Sequence, residues 1–280
     1  MGERKMVDDK NIIRIKKPDM FSLERTLDCG QAFRWEKDAD GVFSGVAYGK
    51  VMRVKEEGDS LLFYGMKNED VQGVFYRYLD LARNYREITD SYRGDKYLSE
   101  ACRACPGIRI LRQEPWEALC SFIISQNNNI PRIKGIIKRL CDSFGEELES
   151  GMYTFPCPDV LSGKAPEDLA VLRAGFRAKY IIDAANKVSS GEIDFDEIAA
   201  SPIEFGRQEL QKIKGVGKKV AECTLLYGFG KYEAFPEDVW VKRIMAEMYP
   251  DGLPACTKGS EGIAQQYLFH WRRTVYRENL

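Results

Sequence analysis

Two regimes of hydrophobic spacing divide the chain. Through residues 11–66 the apolar positions come in short β-prone runs, at 12–15, 33–35, 42–47, 51–55 and 60–64. Asp40-Gly41, Tyr48-Gly49 and Gly58-Asp59 punctuate them at hairpin spacing, which predicts a small twisted antiparallel sheet. From Asn68 onward the spacing lengthens to three and four. Val71, Val74, Phe75, Leu79 and Leu81 predict a helix begun at Asn68-Glu69-Asp70. Further helices are expected over 97–105, 115–125, 131–144, 158–162, 166–173, 179–189, 203–212, 236–248 and 261–276. Trp116, Leu119, Phe122 and Ile123 share one face of 115–125, and Ile133, Ile136, Ile137 and Leu140 share one of 131–144. Only the first ten residues look loose. The fold class expected is α+β: an N-terminal sheet domain with flanking helices over 1–106, packed on a mostly helical body over 107–280.

Within that body, Leu210 and Ile213 close one helical turn, Gly215-Val216-Gly217 follows, and Val220, Leu225 and Leu226 resume a helical pattern. This is helix, glycine hairpin, helix. Glycine alone takes positive φ without penalty, so the pair permits a tight reversal. Gly217 leaves the next helix start without a side-chain cap, and its free N–H groups can meet a phosphate. Residues 207–221 hold five basic residues (Arg207, Lys212, Lys214, Lys218, Lys219) and one acid, Glu209. An anion-binding turn with local positive charge suits a nucleic-acid backbone. An ordinary glycine turn between packed helices fits the same residues. Lys219 and Cys223 lie four apart and share a face. Phe235-Pro236-Glu237-Asp238-Val239 then opens another helix, so a lysine and an aspartate from two helix starts could converge there.

Composition narrows the classes. The 280 residues are 44% apolar and 30% charged, as in soluble globular proteins, and the formal net charge is −1. Any DNA contact must therefore be a local patch. No apolar run is long enough to span a membrane. Met1-Gly2-Glu3-Arg4-Lys5 lacks the apolar stretch of a secretory signal, and Met6 stands where a myristoylation motif needs Ser or Thr. The eight cysteines are scattered, so a reducing intracellular setting without disulfides is expected. Cys102 and Cys105 have no second pair, and His270 is the sole histidine; no metal and no cofactor are expected.

The run Leu-x-x-Ile-x-Gly-Val-Gly-x-Lys-Val-Ala-x-Cys at 210–223, followed by Pro-x-Asp-Val at 236–239, resembles the helix–hairpin–helix–GPD superfamily of base-excision DNA glycosylases. Other stretches resemble its 8-oxoguanine glycosylase/AP lyase branch, over about residues 27–269. The four-cysteine iron–sulfur cluster of some members is not expected, because only Cys256 follows Cys223.

The resemblance implies roles. Lys219 would be the nucleophile that forms a Schiff base with the sugar; otherwise it is a solvated charge or a phosphate contact. Asp238 would face the cationic sugar, a role compatible with helix capping. In Ser125-Gln126-Asn127-Asn128-Asn129-Ile130-Pro131-Arg132, Asn127 would fill the gap left by a flipped base and Arg132 would contact the opposite cytosine. Residues 130–140 also hold four basic residues and no acid. In Gly175-Phe176-Arg177, Phe176 would wedge the stack and Arg177 would hold the orphan cytosine. The Gly30 carbonyl, in a glycine turn leading into a strand, would accept the N7–H that 8-oxoguanine has and guanine lacks. Gln265 would meet the base edge, and Phe269 and Cys223 would sandwich its faces. Gly215, Gly217 and Lys218 would clamp the backbone. Trp240 departs from the histidine the family often has there.

The sequence therefore predicts a monomeric enzyme that removes 8-oxoguanine opposite cytosine from duplex DNA and cleaves the abasic site. A glycosylase for another damaged base and a non-catalytic helix–hairpin–helix module are the competing readings.

Overall fold

In the computed structural model, which describes residues 11–149 and 151–276, the alternating segments form one five-stranded antiparallel sheet. Its strands are β1 (Ile12–Lys16), β2 (Glu36–Lys37), β3 (Phe43–Ala47), β4 (Lys50–Glu57) and β5 (Ser60–Tyr64), in the order β1-β5-β4-β3-β2. The loose start expected over residues 1–10 lies outside the described residues. The predicted strand over 33–35 is a loop. Trp35 instead lies over β3 at Gly45, where an added Cβ would come within 2.3 Å of the indole ring, and its Nε1 donates to Tyr78 Oη at 2.9 Å. Packing on a sheet face has displaced pairing at a sheet edge.

One face of the sheet is covered by α1 (Leu23–Leu27) and by the helix that runs through α2 (Asn68–Asp70), a π-helical stretch (Val71–Phe75) and α3 (Tyr76–Tyr78). Leu23, Leu27, Val71, Phe75 and Tyr78 meet Met52, Val54 and Phe63 in a first core. The helix ends at Tyr78, short of the predicted Leu81, because Asp80 turns left-handed at φ 49°.

The second core is helical. It gathers α4 (Tyr85–Ser91), α5 (Lys96–Ala104), α6 (Pro115–Ser125), α7 (Ile130–Phe144), α8 (Pro158–Leu161), α9 (Arg177–Ser189), α10 (Phe195–Ala200), α11 (Ile203–Leu210), α12 (Lys218–Tyr227), α13 (Val239–Met248) and α14 (Glu261–Thr274). A small hairpin, β6 (Glu147–Glu149) with β7 (Met152–Tyr153), and a 3-10 helix (Pro166–Leu172) complete the sequence-central region. α6 is apolar nearly all round and lies at the centre, packed on α12. Truncating the fully buried Leu119 or Leu225 to alanine would cost about 2–5 kcal/mol. α5 packs on α14, so elements near in sequence to the sheet belong to the helical core.

Short helices account for most differences from expectation. α1, α4 and α10 carry too few turns to display a period. The helix predicted from 236 begins at Val239, since Asp238 is its N-cap, and that predicted to 212 ends at Leu210.

Three buried polar side chains join the two cores. Arg109 donates to the carbonyls of Asp19, Met20, Asp80 and Arg83. Gln31 donates to the Thr26 and Arg109 carbonyls and accepts from Leu111 N. Gln113 donates to the Gln31 carbonyl at 2.7 Å. Buried polar groups of this kind are costly unless fully paired, so they specify one docking geometry. No helix among the described residues is long and apolar enough to cross a membrane.

Candidate active site

The glycine hairpin joins α11 to α12 as expected. The left-handed requirement falls on Gly215, at φ 79°, where a Cβ would also collide with the Tyr180 ring at 2.3 Å. Gly217 is extended, at φ −97°, and caps α12 without a side chain, leaving its first N–H groups open. The Lys214 amide donates to Asp183 on α9 at 2.7 Å, so the hairpin is fixed to that helix. Lys218 is exposed and pairs with Glu237 at 3.2 Å.

Beneath the hairpin, Glu222 is buried yet fully paired. It accepts from Arg207 at 2.5 and 3.2 Å and from the Phe235 amide at 2.7 Å. That carboxylate ties α11, α12 and the loop leading to Asp238 into one unit. Asp238 caps α13, accepting from Val241 N at 2.8 Å.

Lys219 is half-buried and faces a cavity of about 770 Å³. Its Nζ donates to Ser125 Oγ at 3.2 Å and sits 5.0 Å from the Phe122 ring centroid. Neither Lys219 nor Asp238 makes a salt bridge among the described residues. Both line the cavity with Gly30, Phe33, Asn127, Asn128, Ile130, Glu237, Trp240, Phe269 and Arg273. Cys223 lies next to Lys219 and within electrostatic reach of Asp238. Burial pushes its thiol up to about 11 against the pull of Lys219, so it stays neutral beside the amine, though it is not among the residues lining the cavity. A lysine amine, a carboxylate and an apolar slot thus share one cavity, an arrangement suited to covalent attack beside a developing cation.

The asparagine loop divides its labour. Asn128 Nδ2 donates to the Ile124 carbonyl, and Asn129 Oδ1 caps α7 by accepting from Arg132 N. Asn127 has neither duty; it is exposed and left-handed, at φ 46°. Arg132 is exposed on α7. Phe176 is 46% exposed and packs edge-on against Tyr180, the ring that covers Gly215. Arg177, expected at the orphan cytosine, is only 2% exposed and donates to the carbonyls of Gln126, Asn127 and Ala174. Among the described residues those carbonyls have no other partner, so the arginine serves as the loop's brace.

Gly30 lies in a loop rather than at a strand entrance, at φ 89°. The loop is held by Gln31 from one side and by Gln266 from the other, whose Nε2 donates to the Cys29 carbonyl at 3.4 Å. Gln266 also accepts from Tyr227 Oη at 2.6 Å, and the Tyr227 ring stacks on Phe122 at 5.2 Å. A continuous chain of contacts therefore runs from the Lys219 amine to the Gly30 loop. An added Gly30 Cβ would stand 3.9 Å from Phe269. Gln265, one turn before Phe269, is buried with its Oε1 unpaired. Gln265 is not among the residues that line the cavity.

Sequence reasoning missed Ser125, Gln31, Gln266, Phe122 and Arg273. A second glutamine beside Gln265 and a second arginine beside Arg272 were the available signals. Among the described residues, no three His, Cys, Asp or Glu side chains converge as a metal site.

Residues 12–119 match the model of the 8-oxoguanine DNA glycosylase N-terminal domain, and residues 120–252 match that of the HhH-GPD superfamily base excision DNA repair proteins. The N-glycosylase/DNA lyase of Saccharomyces cerevisiae is 32% identical over 255 residues, covering 81% of this chain and 68% of the yeast protein. The solved structure of MBOgg1 in complex with a low-affinity DNA ligand superposes with a TM-score of 0.88 at 42% identity, covering 96% of this chain and 98% of that one. The Clostridium acetobutylicum 8-oxoguanine glycosylase/lyase, solved with double-stranded DNA carrying cytosine opposite the lesion, gives 0.88 at 35% identity, covering 98% and 99%. With consecutive family models spanning both cores, and the Lys219–Asp238 cavity between the hairpin and the Gly30 loop, this chain belongs to the 8-oxoguanine DNA glycosylase/lyase family of the helix–hairpin–helix–GPD superfamily.

Proposed function

We propose that the protein, acting as a monomer on duplex DNA inside the cell, excises 8-oxoguanine opposite cytosine and then cleaves the strand by β-elimination. The carrying observation is the placement of the Lys219 amine and the Asp238 carboxylate in one cavity whose far wall is Gly30 and Phe269. The lesion base enters that slot, and Asn127 occupies the space it leaves in the duplex. Lys219 Nζ bonds to C1′ as the C1′–N9 bond breaks, with the electron pair leaving on the base. Asp238 offsets the positive charge on the sugar. The departing base takes up the proton that the attacking amine loses. Ring opening gives the imine, loss of a C2′ proton expels the 3′ phosphate, and water releases the lysine.

Borohydride trapping on an 8-oxoguanine:cytosine duplex tests this. A covalent adduct and base release are expected; neither product, or preference for an oxidised pyrimidine duplex, would overturn the reading.

Gly30→Ala should separate the two activities. A Cβ there would stand 3.4 Å from Arg273 and 3.9 Å from Phe269, inside the base slot, at a φ that disfavours side chains. Excision should fall by about ten- to a hundredfold, the equivalent of 1–3 kcal/mol, while lyase activity at a preformed abasic site is spared. Parallel assays of one preparation decide it; equal loss of both indicates misfolding.

The two arginines should likewise separate. Arg132→Ala should flatten the rate ratio between cytosine and adenine partners by about 1–3 kcal/mol. Arg177→Ala leaves the Gln126 and Asn127 carbonyls unpaired and should lower unfolding free energy by about 1–3 kcal/mol in denaturant titration. An unchanged unfolding midpoint for Arg177→Ala would remove its bracing role.

A further inference from the structure

α14 presents Gln265, Phe269 and Arg273 at successive steps of four, which places them along one helix face. Phe269 and Arg273 both line the cavity. The Arg273 guanidinium carbon lies 5.4 Å from the Phe269 ring centroid, and Nη1 comes within 3.4 Å of the point where a Gly30 Cβ would stand. Its neighbour Arg272 is committed to Glu247 at 2.6 Å. Arg273 makes no ion pair and no hydrogen bond among the described residues; its one contact of this kind is the face of Phe269. A half-buried cation is thus held by an aromatic ring at the edge of the slot, with its donors open to the cavity.

The position matters because of what happens at that edge. With N7 of the lesion base toward Gly30, the carbonyl oxygens at C6 and C8 flank the same point. When C1′–N9 breaks, the electron pair passes to the base and spreads over the ring onto these oxygens. Guanidinium donors there grip charge that exists only as the bond breaks, and such interactions lower the barrier more than they strengthen ground-state binding. The protonation that completes base departure is already supplied by the amine of Lys219.

We propose that Arg273 is a catalytic residue that donates to a carbonyl oxygen of the flipped base and stabilises the leaving purine anion, a role that Lys219 and Asp238, directed at the sugar, do not fill. The inference rests on 8-oxoguanine excision as the activity.

The test compares wild type with R273L, R273K and R273A. Single-turnover excision from an 8-oxoguanine:cytosine duplex is measured beside lyase activity on a preformed abasic duplex, which carries no base. R273L should lose about ten- to a hundredfold in excision while lyase activity stays within about twofold of wild type. R273K should retain most of the excision rate, and millimolar guanidinium ion should restore part of it to R273A but not to wild type. Both rescues require a positive donor at the site, which a packing role would not. Wild-type excision in R273L overturns the proposal. So does loss of lyase activity in step with excision, or failure of both rescues. Absence of excision by the wild-type protein overturns the parent reading and this one with it.

Discussion

Lys219→Gln is expected to abolish both base excision and the borohydride-trapped adduct while lesion DNA still binds. Glutamine is one bond shorter than lysine but keeps an N–H donor on the side of Ser125 Oγ, which accepts from Nζ at 3.2 Å. It offers no nucleophilic electron pair, so no bond to C1′ can form. Loss of covalent participation with the site otherwise intact should cost about three orders of magnitude or more in single-turnover excision. The neighbouring Lys218→Gln supplies the control. Lys218 is exposed and pairs with Glu237 across 3.2 Å, so its loss should weaken DNA binding and its salt dependence without removing the adduct. Full trapping by Lys219→Gln would end the assignment, and transfer of the defect to Lys218→Gln would move it by one residue.

The second large effect is Asp238→Asn. Asp238 has an observed role and a proposed one that one substitution can separate. As the α13 N-cap it accepts from Val241 N at 2.8 Å, and asparagine caps about as well as aspartate. Stability should therefore change by less than about 0.5 kcal/mol in denaturant titration. It is the carboxylate of the pair Glu237–Asp238 without a lysine partner among the described residues, and the one proposed to face the sugar. Removing that charge from a partly dry cavity should slow excision by about two orders of magnitude. A near-normal rate with normal stability would leave Asp238 a cap and nothing more.

The accuracy of the sequence reading follows the range of the forces involved. The strands at 42–64 and the helices α6, α7, α12 and α14 are legible because each carries its own apolar period over several turns or residues. The glycine hairpin is legible because the backbone requirement at Gly215 is local. α1, α4 and α10 span five to seven residues each, too short for a period, and owe their conformation to the cores they complete. The 33–35 run has strand composition but serves as a lid, since Trp35 gains more from Gly45 and Tyr78 than from pairing.

Polar residues mark the larger divide. Gln31, Gln113 and Gln266 read as surface residues in a linear chain, yet they are buried and bind the Gly30 loop to both cores. Arg177 reads from its motif as a contact for the orphan cytosine, and only the fold shows it buried against the carbonyls of a strained loop. Their long-range partners are backbone carbonyls 50 to 237 residues away, which leave no mark in local composition. By itself, then, the sequence determined the elements with their own periodicity and the hairpin, while motif resemblance singled out Lys219 and Asp238 as candidates. Tertiary structure alone decided that these two open into one cavity with Gly30 and Phe269, that Arg177 braces the asparagine loop and that Arg273 lines the cavity. The reason is that periodicity and backbone propensity act over a few residues, whereas pairing a buried polar group is settled only when distant segments meet.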